Sequence, residues 1–327
     1  MNIELDIKPI EKITSKPILK FKPIDLSAKN IIESYAKPWN MGCSDMSFAN
    51  LFIWGVNGKM EYAEHNHVLY IKLDFEKVPT YLWAPIPKYG VNVDYREAVY
   101  IAIEYMKGIG VEPTLRSVWT PFKQKIQECC PELYIQPTEM AWDYVYDRES
   151  LATLKGKKLH GKRNHINKFM SKYPDYVYKV LDDSMIEECI ALYKDWSDQK
   201  EELSIELFDE KTSVMLALHH RKALNLTGGC IFVKGELVAF TLGERLSDDM
   251  QLIHIEKAKA DVEGAYPMIN QQYILHECQN VTFINREEDM GIEGMRKAKR
   301  SYQPIKMIEK YIVSTRDLTD EKGIWLN

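Results

Sequence analysis

The chain has 327 residues, enough for about two domains at roughly 150 residues each. Hydrophobic residues make up 45%, charged residues 28% and aromatic residues 11%, which excludes disorder, collagen-like repeats and low complexity. A formal charge of -5 excludes whole-molecule attraction to nucleic acid or anionic membrane, so any such binding has to come from a local patch.

The first residues carry Glu4, Asp6 and Glu11 where a secretory signal would have an apolar run, and no stretch reaches the roughly 18 apolar residues of a membrane helix. A cytoplasmic chain with no integral membrane segment is the expectation. Its six cysteines (Cys43, Cys129, Cys130, Cys189, Cys230, Cys278) contain no C-x-x-C spacing and read as buried thiols. In chain order, a strand over 16–24 precedes Asp25, which can cap a helix through Ile31, Ile32 and Tyr35. A short helix at Phe48 to Trp54 is followed by a meander at Lys59 to Glu64, His67 to Phe75 and Tyr81 to Ile86. A helix over 94–107 ends at Gly108 and Gly110; then come a strand at Leu115 to Trp119, a helix at Pro121 to Cys130 and a strand at Trp142 to Tyr146.

The second half repeats this order. A basic helical stretch at 155–172 leads to a strand at Val177 to Leu181 and helices at Met185 to Trp196 and Lys211 to Leu224. Three strands follow at 230–234, 237–244 and 250–256, joined by short turns. Then come a helix through Ile269, Tyr273 and Ile274, a strand at Val281 to Ile284, a helix at Gly294 to Tyr302 and one strand over Lys306 to Val313. The expected fold class is α/β with a structural duplication: residues 1–150 and 151–327, each a mixed, mostly antiparallel sheet flanked by helices. No residue-level repeat is visible between the halves.

Three segments could carry chemistry. Residues 155–172 hold seven Lys and Arg and no acid. On a helix, Leu159, Ile166, Phe169 and Met170 share one side, while Lys158 and Lys162 lie a turn apart on another. This is either a solvated basic helix balanced by the acidic stretch 182–210, or an anion site using Lys158, Lys162, Arg163, Asn164 and Asn167. Residues 285–304 place acids after a strand and bases on the next helix. Glu287 and Asp289 could take a proton from an attacking ammonium and Tyr302 could protonate a leaving group; the alternative is an ion-pair cluster with Arg296 and Lys299. His65 with His67, and His254 with Glu256, form period-two pairs with no third ligand at metal spacing, so no metal site is expected. G-x-S-x-G, Walker, H-E-x-x-H and G-x-G-x-x-G patterns are all absent.

The element order resembles the GCN5-related N-acetyltransferase fold, in which the loop after the fourth strand and the next helix N-terminus hold the pyrophosphate of coenzyme A. The corresponding residues here, 257–266, keep one glycine and add Asp261 and Glu263 beside the expected anion. Lys257, Lys259, Gly264, Ala265, Tyr266 and Asn270 are the candidate donor contacts. The segments GKKLHGKRNHINKF (156–169), EKAKADVEGAYPMIN (256–270) and INREEDMGIEGMRKAKRSYQP (284–304) resemble a bacterial family related to the C-terminal domain of phosphatidylglycerol lysyltransferases. Those enzymes have two tandem acetyltransferase-like domains and take an aminoacyl group from aminoacyl-tRNA. The resemblance implies that Lys158, Lys162, Arg163 and Asn167 hold a polyanionic substrate, with Arg296, Lys297 and Lys299 on the same groove. Glu256, Glu287, Asp289 and Tyr302 are the candidate catalytic residues. The implied function is acyl or aminoacyl transfer, by direct attack of an amine or hydroxyl acceptor on a coenzyme A thioester or an aminoacyl-tRNA ester, with no tightly bound cofactor. The alternative is a non-catalytic anion-binding module on the same fold.

Overall fold

In the computed structural model, residues 19–55, 60–75, 78–198 and 210–318 are described. The N-terminal segment, the beginning of the strand expected over 16–24, Lys59 and residues 199–209 of the acidic stretch lie outside them. What is seen of that first strand is β1 (Lys22–Pro23). Asp25 then accepts from the Ser27 amide at 2.8 Å and opens a 3-10 turn that runs into α1 (Lys29–Ala36). Ser47 likewise caps α2 (Phe48–Trp54). The meander follows as β2 (Met60–His65), β3 (Val68–Phe75) and β4 (Val78–Trp83), with β5 (Ile86–Pro87) resuming beside β3. Asn66 and His67 form the β2–β3 turn with φ of 46° and 60°, so His67 does not share a strand face with His65 as the alternation suggests.

Asp94 accepts from the Glu97 amide at 2.9 Å and caps α3 (Tyr95–Gly108). Then come β6 (Thr114–Trp119), α4 (Thr120–Cys129), β7 (Tyr134–Pro137) and β8 (Asp143–Asp147). The periodicity misses β7 and α5 (Arg148–Thr153), the latter capped by Asp147. The second half continues with α6 (His160–Lys172), β9 (Val177–Val180), α7 (Ile186–Asp198), α8 (Glu210–His219) and β10 (Thr227–Val233). It closes with β11 (Glu236–Ser247), β12 (Met250–Ala258), α9 (Ala265–Glu277), β13 (Phe283–Asn285), α10 (Glu293–Arg300), β14 (Lys306–Ile308) and β15 (Lys310–Ser314).

These strands form two mixed sheets with the same plan. One runs β1-β2-β3-β4-β6-β15-β7 and the other, read in the same sense, β9-β10-β11-β12-β13-β8-β14. In each, the only parallel pair among the described strands is the fourth with the fifth, β4 with β6 and β12 with β13. The fold is therefore the duplicated α/β arrangement that the element order implied, two mixed, mostly antiparallel sheets flanked by helices.

Two strands cross the expected boundary near residue 150. β8, from the end of the first half, inserts between β13 and β14; β15, from the end of the second, inserts between β6 and β7. The single strand expected over Lys306 to Val313 is thus two strands in different sheets, divided at Glu309. The crossing chains are pinned by a buried polar cluster. Lys310, 3% exposed, lies 2.8 Å from both Asp143 and Asp45. Asp143 also accepts from the Ser44 amide at 2.7 Å, the Ser44 hydroxyl at 2.9 Å and Asn285 Nδ2 at 2.9 Å. A buried pair that satisfies its remaining hydrogen-bond positions in this way specifies which chain occupies the slot, because an apolar residue there would leave carboxylates stranded.

The duplication also has a residue-level trace. Both fifth strands bulge just past the same register against the inserted strand: the β6 ladder shifts after Leu115 opposite Val313, and after Asn285 opposite Val145 the single residue Tyr144 accepts from the Arg286 amide and donates to the Glu287 carbonyl. In each bulge an arginine is followed by a left-handed residue: Arg116 then Ser117 (φ 50°), and Arg286 then Glu287 (φ 54°). Left-handed φ is strained for a side chain with a Cβ and concentrates where a strand re-aims a residue.

Candidate active site

The helix α6 is seated by Leu159, Ile166 and Phe169, all buried; Met170, expected on that side, is 39% exposed. Gly264, just before α9, lets α6 come close. A Cβ there would meet the His165 carbonyl oxygen at 2.5 Å and Phe169 Cβ at 3.0 Å, and Gly264 has φ of 84°. Gly264→Ala should cost about 1–3 kcal/mol of stability, measurable by urea denaturation; an unchanged midpoint would contradict this contact. Gly264, expected to cradle an anion, is thus also the point at which α6 packs against the start of α9.

With α6 held there, Lys162 reaches the end of the second sheet. Its Nζ lies 4.0 Å from the centre of the Tyr302 ring, and the Arg286 guanidinium lies 4.7 Å from the same ring. Arg286 donates to Glu256 at 3.0 Å, and the other Glu256 oxygen accepts from Asn270 Nδ2 at 2.9 Å. Arg286 Nη1 is buried with no hydrogen-bond partner. Burial, reinforced by the Arg286 charge and opposed by Glu256, pushes the Lys162 ammonium down to about 8. Burial pushes the Tyr302 phenol up to about 12. The crevice therefore holds two cations to one carboxylate, an unfilled N–H and a lysine that titrates near neutrality. Arg286 is the residue that sequence reasoning missed; the R-S and R-E dipeptides at the two matching strand ends are the signal that could have found it.

Next to it, His254 is buried between Glu287, 2.8 Å from Nδ1, and Glu244, 3.0 Å from Nε2. Burial alone would lower its pKa, but hydrogen bonds and charge from both carboxylates hold it up to about 10, so it is an imidazolium at neutral pH. The first half contributes Asn50, which donates to Glu287 at 3.2 Å, and Ser47, which donates to Glu244. Glu287 is thus committed to His254 and Asn50 and is not placed as a free base.

The other expected residues divide clearly. Asp289, 1% exposed, accepts from Arg296 Nε and Nη2 at 2.8 and 3.0 Å, from Tyr144 at 2.6 Å and from the Gly291 amide at 2.8 Å. Burial would raise its pKa, but these donors hold the carboxyl below its ordinary range. This is the ion-pair cluster, and it occupies both Asp289 and Arg296. Lys299 does not line the groove: its ammonium donates to the Arg286 carbonyl at 2.6 Å and to that of Glu288. Arg163 donates to the Leu154 and Gly156 carbonyls, holding the turn before α6. Lys158, Asn164, Asn167 and Lys297 are exposed. Lys168 pairs with Glu263, while Asp183, of the acidic stretch, meets Arg221 and Lys222 rather than α6.

The loop expected to hold a donor is likewise occupied by internal contacts. Lys257 is buried in β12, 2.7 Å from Glu210 and 3.5 Å from the centre of the Trp196 ring. Lys259 pairs with Glu236. Ala265 is buried, and the Tyr266 hydroxyl accepts from the Trp196 indole at 2.8 Å. Asn270 donates to Glu256.

A family model described as phosphatidylglycerol lysyltransferase, C-terminal, matches residues 38–314, most of the chain. The chain belongs to that family. Its fold superposes on a conserved protein of unknown function from Bacteroides thetaiotaomicron with a TM-score of 0.81 at 33% identity, covering 91% of this chain and 100% of that one. The C-terminal domain of a putative lysylphosphatidylglycerol synthetase from Agrobacterium fabrum gives a TM-score of 0.57 at 13% identity over 80% of this chain and 85% of that one. L-PGS from Bacillus licheniformis gives 0.57 at 14% over 81% and 86%. At those identities the last two show a shared fold alone. An uncharacterized protein of Mycoplasmoides gallisepticum is 24% identical over 179 residues, 54% of this chain, so the match spans little more than half (56%) of that relative's length. Among the described residues, no helix of this family member is long and apolar enough to cross a membrane.

Proposed function

We propose that the chain transfers an aminoacyl group from the ester of a charged tRNA to an amine or hydroxyl acceptor in the crevice formed by Lys162, Glu256, Arg286 and Tyr302. The observation that carries this reading is the buried, unpartnered Arg286 Nη1 beside a lysine of lowered pKa. The acceptor nitrogen or oxygen attacks the ester carbonyl carbon, and the carbonyl oxygen becomes an oxyanion on Arg286 Nη1, which Glu256 holds in place. Neutral Lys162 takes the acceptor's proton and returns it to the ribose oxygen as the ester bond breaks.

The family model supports an aminoacyl donor. So does the donor loop, where Lys257 and Lys259 are neutralised by acids, Asp261 and Glu263 are exposed and Pro267 removes an amide from the first turn of α9. The exposed Lys155, Lys157 and Lys158 before α6 suit a polyanion better than a single pyrophosphate.

Single-turnover transfer from labelled aminoacyl-tRNA should rise as pH passes upward through about 8, because the reactive Lys162 is the deprotonated one. Lys162→Met should lower the rate about 100-fold and flatten that profile. A Lys162→Met rate within threefold of wild type, with an unaltered profile, would reject the assignment. The commitment of Glu287 and Asp289 to His254 and Arg296 favours one second reading, a non-catalytic anion-binding module. In that case charged tRNA binds and no transfer occurs with any acceptor.

A further inference from the structure

The first half carries a different set of side chains at the position that corresponds to the proposed active site. Leu69 pairs with Ile86 in the first sheet as Thr241 pairs with Glu256 in the second, and Arg116 corresponds to Arg286 by the shared bulge. Ile86, 1% exposed, therefore stands where Glu256 stands, and Arg116 lies over the Tyr81 ring at 4.2 Å. The carboxylate of the second half's crevice is not repeated at this position.

Aromatic rings and lysines take its place at the carboxyl ends of β4 and β6, where ligands of open α/β sheets bind. Trp39 is tied to the end of β5 by its indole N–H, which donates to the Pro87 carbonyl at 2.7 Å. Phe122 lies 5.7 Å from Trp39 and 6.4 Å from Tyr95, and Tyr89, 62% exposed, meets the edge of Trp39 at 5.3 Å. Lys125 sits 5.2 Å from the Trp39 ring centre and 5.8 Å from that of Tyr95; Lys88 lies 4.5 Å from the centre of the Tyr35 ring. Among the described residues neither lysine pairs with a carboxylate, and the nearby Asp94 is engaged in capping α3. A second observation is the Trp119 indole N–H at the end of β6. It is buried and without an acceptor, although an indole donor inside a protein usually has one.

We infer that this cluster of aromatic rings and lysines is a second, non-catalytic ligand site that takes an aromatic base carrying phosphate. The base stacks on Trp39 and Tyr89, and Lys88 and Lys125 supply the charge for the phosphate. The same chemistry is presented by a free nucleotide and by the unpaired end of an RNA strand.

The test uses the full chain with two probes, AMP by calorimetry and a fluorescein-labelled single-stranded RNA hexamer by anisotropy. Tyr89→Ala, at an exposed position, and Lys125→Met should each weaken binding at least tenfold. With the hexamer, Lys125→Met should also reduce the slope of log affinity against log salt by about 0.7. AMP binding that both variants weaken identifies a free nucleotide as the source; hexamer binding so weakened, with no AMP binding, identifies an RNA end. Failure of both probes to bind, or binding that neither variant alters, overturns the inference. Neither residue belongs to the crevice of the second half, so loss of transfer in Lys162→Met leaves this test intact.

Discussion

Replacing Lys310 by Met should lower the stability of the whole chain by about 3–5 kcal/mol, a large share of what a protein of this kind has. The buried ammonium is the counter-ion of Asp143 and Asp45 at 2.8 Å each. Burial opposes its charge, yet Asp143 and Asp45 more than compensate, so its pKa lies well above the ordinary value. Methionine fills the volume and strands two carboxylates. The signature beyond a lower urea midpoint is partial recovery in the double variant Lys310→Met, Asp143→Asn, since that removes one of the stranded charges. A single-variant loss below about 1 kcal/mol would show that the two crossing strands are held by their backbone ladders alone.

Arg286→Met should reduce single-turnover transfer by a factor of about 10²–10³, the usual effect of removing one preorganised donor to an oxyanion. It also leaves Glu256 unpaired at 12% exposure, so the comparison that isolates the chemistry is the double variant with Glu256→Gln. Asn270 still holds that side chain, and the double variant should fold and remain inactive. Activity within threefold of wild type in either variant would remove Arg286 from the mechanism.

Much of the architecture is legible in the sequence because its signals are local. Asp94 and the apolar period behind it specify α3, and Ser47 specifies α2. The identical order of elements in the two halves discloses the duplication. What escapes is decided between residues far apart in the chain. Nothing near Glu309 says that Lys306–Ile308 and Lys310–Ser314 belong to different sheets; that depends on Asp143 and Asp45 being there to receive Lys310. The acids after β13 look alike as text, yet Asp289 is consumed by Arg296 seven residues on, Glu287 by His254 on the neighbouring strand, and only Glu256, in β12, is turned toward the Lys162 crevice. His254 reads in the sequence as paired with Glu256, because its actual partners, Glu244 and Glu287, come from flanking positions that register alone brings together. Arg286 is visible only once the two bulges are laid over each other.

The reciprocal strand insertion has a consequence for how the molecule is made. As the polypeptide leaves the ribosome, the first sheet has its outer strand β7 early but cannot close the gap between β6 and β7 until residues 310–314 emerge. The earlier half must wait, its β6 edge unpaired, for almost the entire later half to be synthesised. Neither half can then be released as an independent module: each would keep a strand its own sheet does not use and lack the one it needs, so the two halves are interlocked.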